Sequence, residues 1–308
     1  MNTNRNPMRI ELHCHTLFSV DVGQLTPEAL VDVAVEREIA TLSITEHNSL
    51  GSLKRARKYA IKKGIKYIPG VEFDGVWKGK TFHFLVYGYD PENKELISFA
   101  EKNFTYGRNG KLYMEIFEEE YGINKAELTK GLAGHYPTHP SPVLNIGYIN
   151  ATLINNGTYP DVAAAIKTEN EIYNKILKRH GPNVFEQFAS YEVIRDVAHA
   201  AGGIVLLAHV SIGNKGNLQN QLTLIRELME NGLDGFELYC PRNLMEPHFD
   251  ELVAESKRLG CAVSGGSDCH NAAEKGSSFG TVAVPDYVVA TIETALARRQ
   301  QNMKNGKK

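Results

Sequence analysis

The sequence predicts an α/β fold: a distorted seven-stranded TIM-like (βα) barrel carrying a helical insertion. Three observations predict it. Short apolar runs alternate with amphipathic stretches at both ends of the 308-residue chain, and such alternation implies a mostly parallel sheet covered by helices. About seven such units fit a closed or distorted barrel better than an open sheet. Histidines and carboxylates recur where the apolar runs end, as expected where strand C-termini converge on one face.

The elements follow in order. In Arg9 to His15, Ile10, Leu12 and Cys14 alternate with Glu11, His13 and His15, a period of two that reads as a strand. Thr26-Pro27-Glu28 starts a helix, with Thr26 as cap, Pro27 in the first turn and Glu28 favourable to the dipole. Thr41 to Thr45 is the second strand, and Ser52 to Lys63 a helix closed by Gly64. Lys66 to Ile68 and Thr81 to Tyr87 are the third and fourth strands. The pattern resumes with a helix over Tyr191 to Ala201 and a buried strand over Ile204 to Ala208. Helices over Gln221 to Asn231 and Pro247 to Leu259 alternate with strands over Gly235 to Tyr239 and Ala262 to Ser264. Thr281 to Val284 reads as a short last strand and Tyr287 to Arg299 as the closing helix. The chain thus divides into a barrel of residues 8–90 and 190–300, a helical, tyrosine-rich insertion of residues 91–189, and a polar, frayed tail of residues 301–308. An insertion this long suits a lid over the barrel mouth.

Composition excludes other classes. Hydrophobic residues at 42% and charged residues at 23% rule out disorder over most of the chain. A formal charge of -2 calls for neither a nucleic-acid backbone nor an anionic membrane as partner. No apolar run approaches the roughly 20 residues that span a bilayer, and residues 1–8 lack an apolar signal core, so a cytoplasmic protein is expected. Cys14, Cys240, Cys261 and Cys269 form no CxxC pair, hence neither a disulfide framework nor a thiolate zinc site.

The histidines carry the chemistry. His13 and His15 lie two apart on a strand, so both imidazoles can reach one metal. Glu46-His47, Glu72, His209 and Asp268-Cys269-His270 end other strands, and His83 lies within one. Six separate segments bringing His and carboxylate groups to one face point to a metal centre. Imidazole and carboxylate without thiolate suit zinc, iron or manganese. The candidate ligands are too many for one ion, so two or three are expected, with Glu72 as a bridge. Clustered ions favour hydrolysis of phosphate esters.

These residues resemble the polymerase and histidinol phosphatase (PHP) family of metal-dependent phosphoesterases. The resemblance rests on Leu12-His13-Cys14-His15-Thr16, Leu25-Thr26-Pro27-Glu28, Ile44-Thr45-Glu46-His47-Asn48-Ser49, Pro69-Gly70-Val71-Glu72, His83, Val205-Leu206-Leu207-Ala208-His209 and Gly265-Gly266-Ser267-Asp268-Cys269-His270. It implies a distorted seven-stranded βα barrel with three metals. One metal would take His13, His15, Glu72 and Asp268. A second would share Glu72 and add His83 and His209. A third would take Asp21, His47 and His270. A hydroxide bridging two metals would attack phosphorus, with Asp268, Glu72 and His209 as the catalytic set.

The sequence departs from the family in three places. Val20 intervenes in Ser19-Val20-Asp21-Val22-Gly23, where the family has Ser-Asp-Gly. Glu46 and Asn48 flank His47 where the family has Asp. Pro142-Val143-Leu144-Asn145-Ile146 lacks the Arg-Pro-His stretch that helps nucleotide phosphatases hold phosphate. Arg108, Lys111, Tyr239 and Arg242 are candidate substrate contacts. His135 and His139 fall in a Pro-interrupted loop, His180, His199 and His248 read as structural, and Cys269 should face the core. The expected substrate is a small phosphate ester, a nucleotide or an amino-alcohol phosphate. The alternatives are an exonuclease acting at a short nucleic-acid end, an amidohydrolase-type hydrolase, and a non-catalytic metal-binding module.

Overall fold

The structure, a computed structural model, describes residues 9–19, 25–104, 106–126, 149, 153–154, 156–185, 187–272 and 276–306. Its strands form two sheets rather than one closed barrel. The first is parallel, in the order β1 (Arg9–Glu11), β2 (Ile39–Leu42), β3 (Lys66–Tyr67). The second is mixed, in the order β4 (Gly70–Trp77), β5 (Lys80–Tyr87), β6 (Ile204–Leu207), β7 (Gly235–Tyr239), β8 (Ala262–Gly265). The expected distorted seven-stranded barrel is therefore corrected, among the described residues, to eight strands in two sheets.

The cause is local. Only Lys78 and Gly79 separate β4 from β5, both with positive φ. Two such residues make the tight turn of an antiparallel hairpin, whereas a parallel strand needs a crossover of about a dozen residues or more. So β5 runs against the rest of its sheet, antiparallel to both β4 and β6, while the β6–β7 and β7–β8 pairings are parallel. Between the sheets, the parallel pairings Cys14 with Cys269 and His47 with Glu72 are single bridges, not continuous ladders. Thr281 to Val284 forms no strand.

Helices cover the sheets where the local signals place them. In α1 (Pro27–Glu36), Thr26 Oγ1 accepts from the Ala29 N–H and Pro27 occupies the first turn. Beyond it lie α2 (Leu53–Lys62) and α3 (Lys94–Asn103), the latter capped by Asn93. Next come α4 (Tyr106–Tyr121) and α5 (Val162–His180), the latter capped by Asp161. Then follow α6 (Tyr191–Ala200), α7 (Leu218–Glu230), α8 (Pro241–Leu244) and α9 (Phe249–Leu259). Gly260, in the left-handed conformation, ends α9. The last helix, α10 (Tyr287–Lys304), runs beyond Arg299 into the expected tail.

The main core lies between sheets and helices, with Phe73, Phe84, Tyr87, Leu206 and Phe236 at or near full burial. A second apolar cluster forms apart from it, where Met114 and Phe117 of α4 meet Ile172 and Ile176 of α5. No helix among the described residues is long and apolar enough to cross a membrane.

Candidate metal centre

Five of the strands deliver their C-terminal ends to one place. His13 and His15 follow β1, their backbone held by the Asp268 N–H on the His13 carbonyl (2.8 Å) and the His15 N–H on the Cys269 carbonyl (3.0 Å). His47 follows β2, His209 follows β6, and Asp268 and His270 follow β8, while Glu237 comes from β7 itself. Glu72, Asp74 and His83 reach the same place from the β4–β5 hairpin, where Asp74 and His83 are paired across the ladder. Backbone strain concentrates here: His209 and Asp268 are non-glycine residues with positive φ. Cys14 and Cys269 belong to the apolar core, as the alternation predicts.

Glu72, fully buried, is the hub. Its Oε2 faces His13 Nε2 at 3.0 Å, His47 Nε2 at 3.3 Å and His15 Nε2 at 3.4 Å. Its Oε1 faces His83 Nδ1 at 3.1 Å and His209 Nε2 at 3.2 Å. Asp268 Oδ1 lies 3.4 Å from each of His13 Nε2, His15 Nε2 and His270 Nε2. The rings of His15, His47 and His270 are nearly parallel, with His15 4.3 Å from His270 and 4.8 Å from His47.

Three groups of donor atoms are compact enough to share an ion: His13, His15, Glu72 and Asp268; His47, Glu72 and His83; and His15, His47 and His270. The third differs from the set implied by resemblance, since His15 joins His47 and His270, and Asp21 lies outside the described residues. His209 approaches through Glu72 and through its ring, 5.0 Å from that of His83.

These residues fit divalent cations. Metal–ligand bonds of about 2.0–2.2 Å meeting at roughly 90–110° place neighbouring donors about 2.8–3.6 Å apart. The nitrogen–oxygen contacts of the first group, 3.0–3.4 Å, fall in that range. His15 Nε2 is buried and has no hydrogen-bond partner of good geometry among the described residues, as suits an atom that would ligate an ion.

The electrostatics agree. Burial alone would raise the Glu72 and Asp268 carboxyls, yet the surrounding imidazoles, His13 foremost, hold both well below the usual carboxylate range. Burial likewise opposes charge on His13, but Glu72, Glu237 and Asp268 raise it well above the ordinary imidazole value. His15 goes the other way, pushed down to about 4 by burial and by His270. The cluster is thus a buried set of anions that demands positive charge, with a neutral imidazole at its centre.

Sequence reasoning missed two carboxylates. Glu237, fully buried, accepts from the His209 N–H (2.8 Å), and its other oxygen meets His13 Nδ1 at 2.9 Å. With Nδ1 donating there, His13 presents an Nε2 lone pair to the cluster. Asp74 lies 2.9 Å from His83 Nε2 and 3.5 Å from His47 Nδ1, and is itself hydrogen-bonded by the Asn48 side chain. The signal was present for Asp74, two residues beyond Glu72 on the same face of β4. For Glu237 it was a lone carboxylate in the apolar run Gly235–Tyr239. Glu46 takes no part in the compact donor groups and accepts from Thr16 instead.

The candidate substrate contacts divide. Arg242 stands at the rim, its Nε 3.9 Å from Asp268 Oδ2. Tyr239 is a correction: its hydroxyl pairs with that of Tyr287 of α10 at 2.6 Å and its ring packs on Phe249 of α9. A register shift between Glu237 and Tyr239 on β7 turns the tyrosine off the face that Glu237 occupies. Lys111 is exposed on α4, and the side chain of Arg108 lies outside the described residues, as do His135, His139 and Pro142 to Ile146. The three histidines read as structural are held by Glu115 (His180), Asp234 (His199) and Gln221 (His248).

Comparison with known proteins places this geometry. The sequence model of the PHP domain matches residues 11–177. The chain is 30% identical to the 5'-3' exoribonuclease Rnm of Escherichia coli K12, over 84% of each protein. It is 27% identical to a 3',5'-nucleoside bisphosphate phosphatase of Chromobacterium violaceum, over 88% of this chain and 90% of that one. Among solved structures, a Chromobacterium violaceum amidohydrolase with bound sulfate and no metal superposes with a TM-score of 0.68 at 24% identity, over 94% of this chain and 96% of that one. With the domain match spanning more than half its length, the chain belongs to the PHP domain family.

Proposed function

We propose that the protein is a metal-dependent phosphoesterase that hydrolyses a small phosphate ester, a nucleotide or an amino-alcohol phosphate, with two or three manganese, zinc or iron ions. The observation that carries this reading is Glu72, one buried carboxylate whose two oxygens face separate sets of imidazoles. A carboxylate so placed can bridge two ions. His13, His15 and Asp268 would complete one side of the bridge and His83 with His209 the other, while His47, on the Oε2 side, is also close enough to share an ion with Glu72 and His83. When bound, the ions supply Lewis acidity toward phosphoryl oxygens and lower the pKa of water.

The chain's own residues do the rest. Glu237 fixes the His13 tautomer and ties it to the His209 backbone. Asp74 orients His47 and His83. Arg242, half-exposed beside Asp268, can meet a phosphate oxygen entering from solvent. Residues 91–189, which carry their own apolar cluster, would act as the substrate lid. The relatives named as a nucleoside bisphosphate phosphatase and an exoribonuclease support the nucleotide end of the substrate range.

The test is phosphate release by the manganese-loaded protein from nucleoside monophosphates and bisphosphates, histidinol phosphate and sugar phosphates. Turnover on one class that falls at least about 100-fold in Asp268→Asn, with unchanged circular dichroism, is the expected result. Turnover in the variant equal to the wild type would remove Asp268 from the machinery.

A further inference from the structure

The end of β1 and the loop after β8 run side by side, yet the ladder between them is broken. On one side of the break the Leu12 N–H donates to the Gly265 carbonyl at 3.1 Å, and on the other the Asp268 N–H donates to the His13 carbonyl at 2.8 Å. Gly266 and Ser267 lie between these two bonds. In a regular parallel ladder the Leu12 carbonyl would accept from Ser267. It accepts the Tyr87 hydroxyl instead (2.9 Å), and the Gly266 N–H leaves for the Tyr239 carbonyl of β7 (2.9 Å).

The Glu11 side chain fills the gap. Its Oε1 accepts from the Ser267 N–H at 2.8 Å and the His13 N–H at 3.2 Å, and its Oε2 from the Gly280 N–H at 2.9 Å. The carboxylate is fully buried, and no Lys, Arg or His pairs with it among the described residues. Gly266 leaves it room, since a Cβ there would collide with Oε1 and with the His13 nitrogen. Burying a carboxylate without a cation is costly, and strand carbonyls could satisfy the same N–H groups without it. What the carboxylate allows is the break itself. Extra residues in a ladder re-aim the side chain beside them, and here Asp268, at a φ of 51°, brings Oδ1 to 3.4 Å from both His13 Nε2 and His15 Nε2.

We propose that Glu11 is a positioning residue for the first donor group: one carboxylate oxygen stands in for a strand carbonyl and fixes Asp268 against His13 and His15. This rests on reading the cluster as a metal centre. Glu11 belongs to none of the three compact donor groups. It acts through the backbone, on His13 itself and on Ser267, the residue before Asp268. One oxygen thus sets the distance between donors supplied by the two ends of the chain, and Oε2 ties the same point to the segment that leads into α10.

The test compares the full chain as wild type, E11Q and E11M. Glutamine keeps one acceptor oxygen, which can take the Oε1 place, while methionine keeps the bulk and accepts nothing. Cobalt(II) is titrated against a fluorescent chelator and its visible absorption recorded, with circular dichroism of the metal-free proteins. E11Q should hold every ion within about threefold of wild type, since only the Gly280 bond is lost. E11M should bind one ion at least about tenfold more weakly, as for other groups that orient ligands, with a changed cobalt band in a folded protein. A purely structural role would lower the Tm of E11M and leave affinity and band unchanged, and that result would overturn the proposal. So would E11Q as weak as E11M, because the charge and not the acceptor would then matter. If E11M does not fold, E11D decides: it draws the carboxyl back by about 1.5 Å, and wild-type affinity and band there would overturn the proposal. Amide hydrogen exchange at Ser267 and Asp268 is measured in chelator in parallel. A wild type that binds no cobalt strikes the metal reading, whereas exchange in the variant as slow as in wild type strikes the role of Glu11 itself.

Discussion

Replacing Glu237 by Gln changes one atom of a fully buried side chain and keeps its volume. The wild-type carboxylate accepts on both oxygens, from His13 Nδ1 at 2.9 Å and from the His209 N–H at 2.8 Å. An amide has one acceptor, so either its NH2 confronts the His209 N–H or it confronts His13. In the second case His13 must move its proton to Nε2, the atom that faces Glu72 at 3.0 Å, and its lone pair is withdrawn from the metals. A hydrogen bond to a charged group contributes about 1.5–3 kcal/mol, which corresponds to roughly 10–150-fold in affinity at 1.36 kcal/mol per decade. Loss of an outer carboxylate on a ligating histidine gives about 10–100-fold. The assay is competition for manganese or zinc against a fluorescent chelator, with circular dichroism as control. One ion should bind about 10–100-fold more weakly while the fold persists. A folded variant with wild-type affinity for every ion would refute the orienting role of Glu237.

Three further outcomes follow from the same geometry. In Gly266→Ala, the new Cβ would collide with the His13 backbone nitrogen and the Glu11 carboxylate; metal affinity should fall by at least about tenfold and thermal stability with it, by about 1–3 kcal/mol in a denaturant titration. Asp234 accepts from the Val205 N–H and meets His199 and Arg299 at 2.7 and 2.9 Å, and Asp234→Asn should destabilise by about 2–3 kcal/mol. Burial pushes this carboxyl up, but His199, the Val205 N–H and Arg299 outweigh it and hold it below the usual range. Its contribution is therefore full above about pH 4 and lost as pH falls through the folded value, so wild type and variant should converge in acid melts. Stripping the ions should lower stability by about 2.7 kcal/mol per ion held at 100-fold over its Kd, seen as a fall in Tm that added manganese or zinc reverses.

The histidine–carboxylate cluster was legible because two periodicities coincide. A spacing of two places His13 with His15, and Asp268 with His270, on common faces, and strand C-termini bring those faces together. The hairpin was not read, although Lys78-Gly79 is turn chemistry, because the alternation of strand and helix on either side suggested another βα unit. Glu237 and Asp74 were missed for a related reason. In a short strand, a polar residue amid apolar ones reads equally well as a solvent-facing position, and only the tertiary fold shows which face water reaches. Tyr239 failed through a single irregularity: the register shift on β7 reverses the parity on which its placement depended.

The contact between the tip of β1 and the loop after β8 has a consequence for biosynthesis. His13 and Asp268, joined through the backbone at 2.8 Å, are about 255 residues apart in the chain. At roughly 5–20 residues per second of translation, His13 waits about 13–51 s for its partner. During that interval the nascent chain displays His13, His15 and Glu72 without Asp268 and His270. A translation product arrested before Asp268 would therefore lack part of the first donor group, and hydrolytic competence would have to await synthesis of the loop after β8.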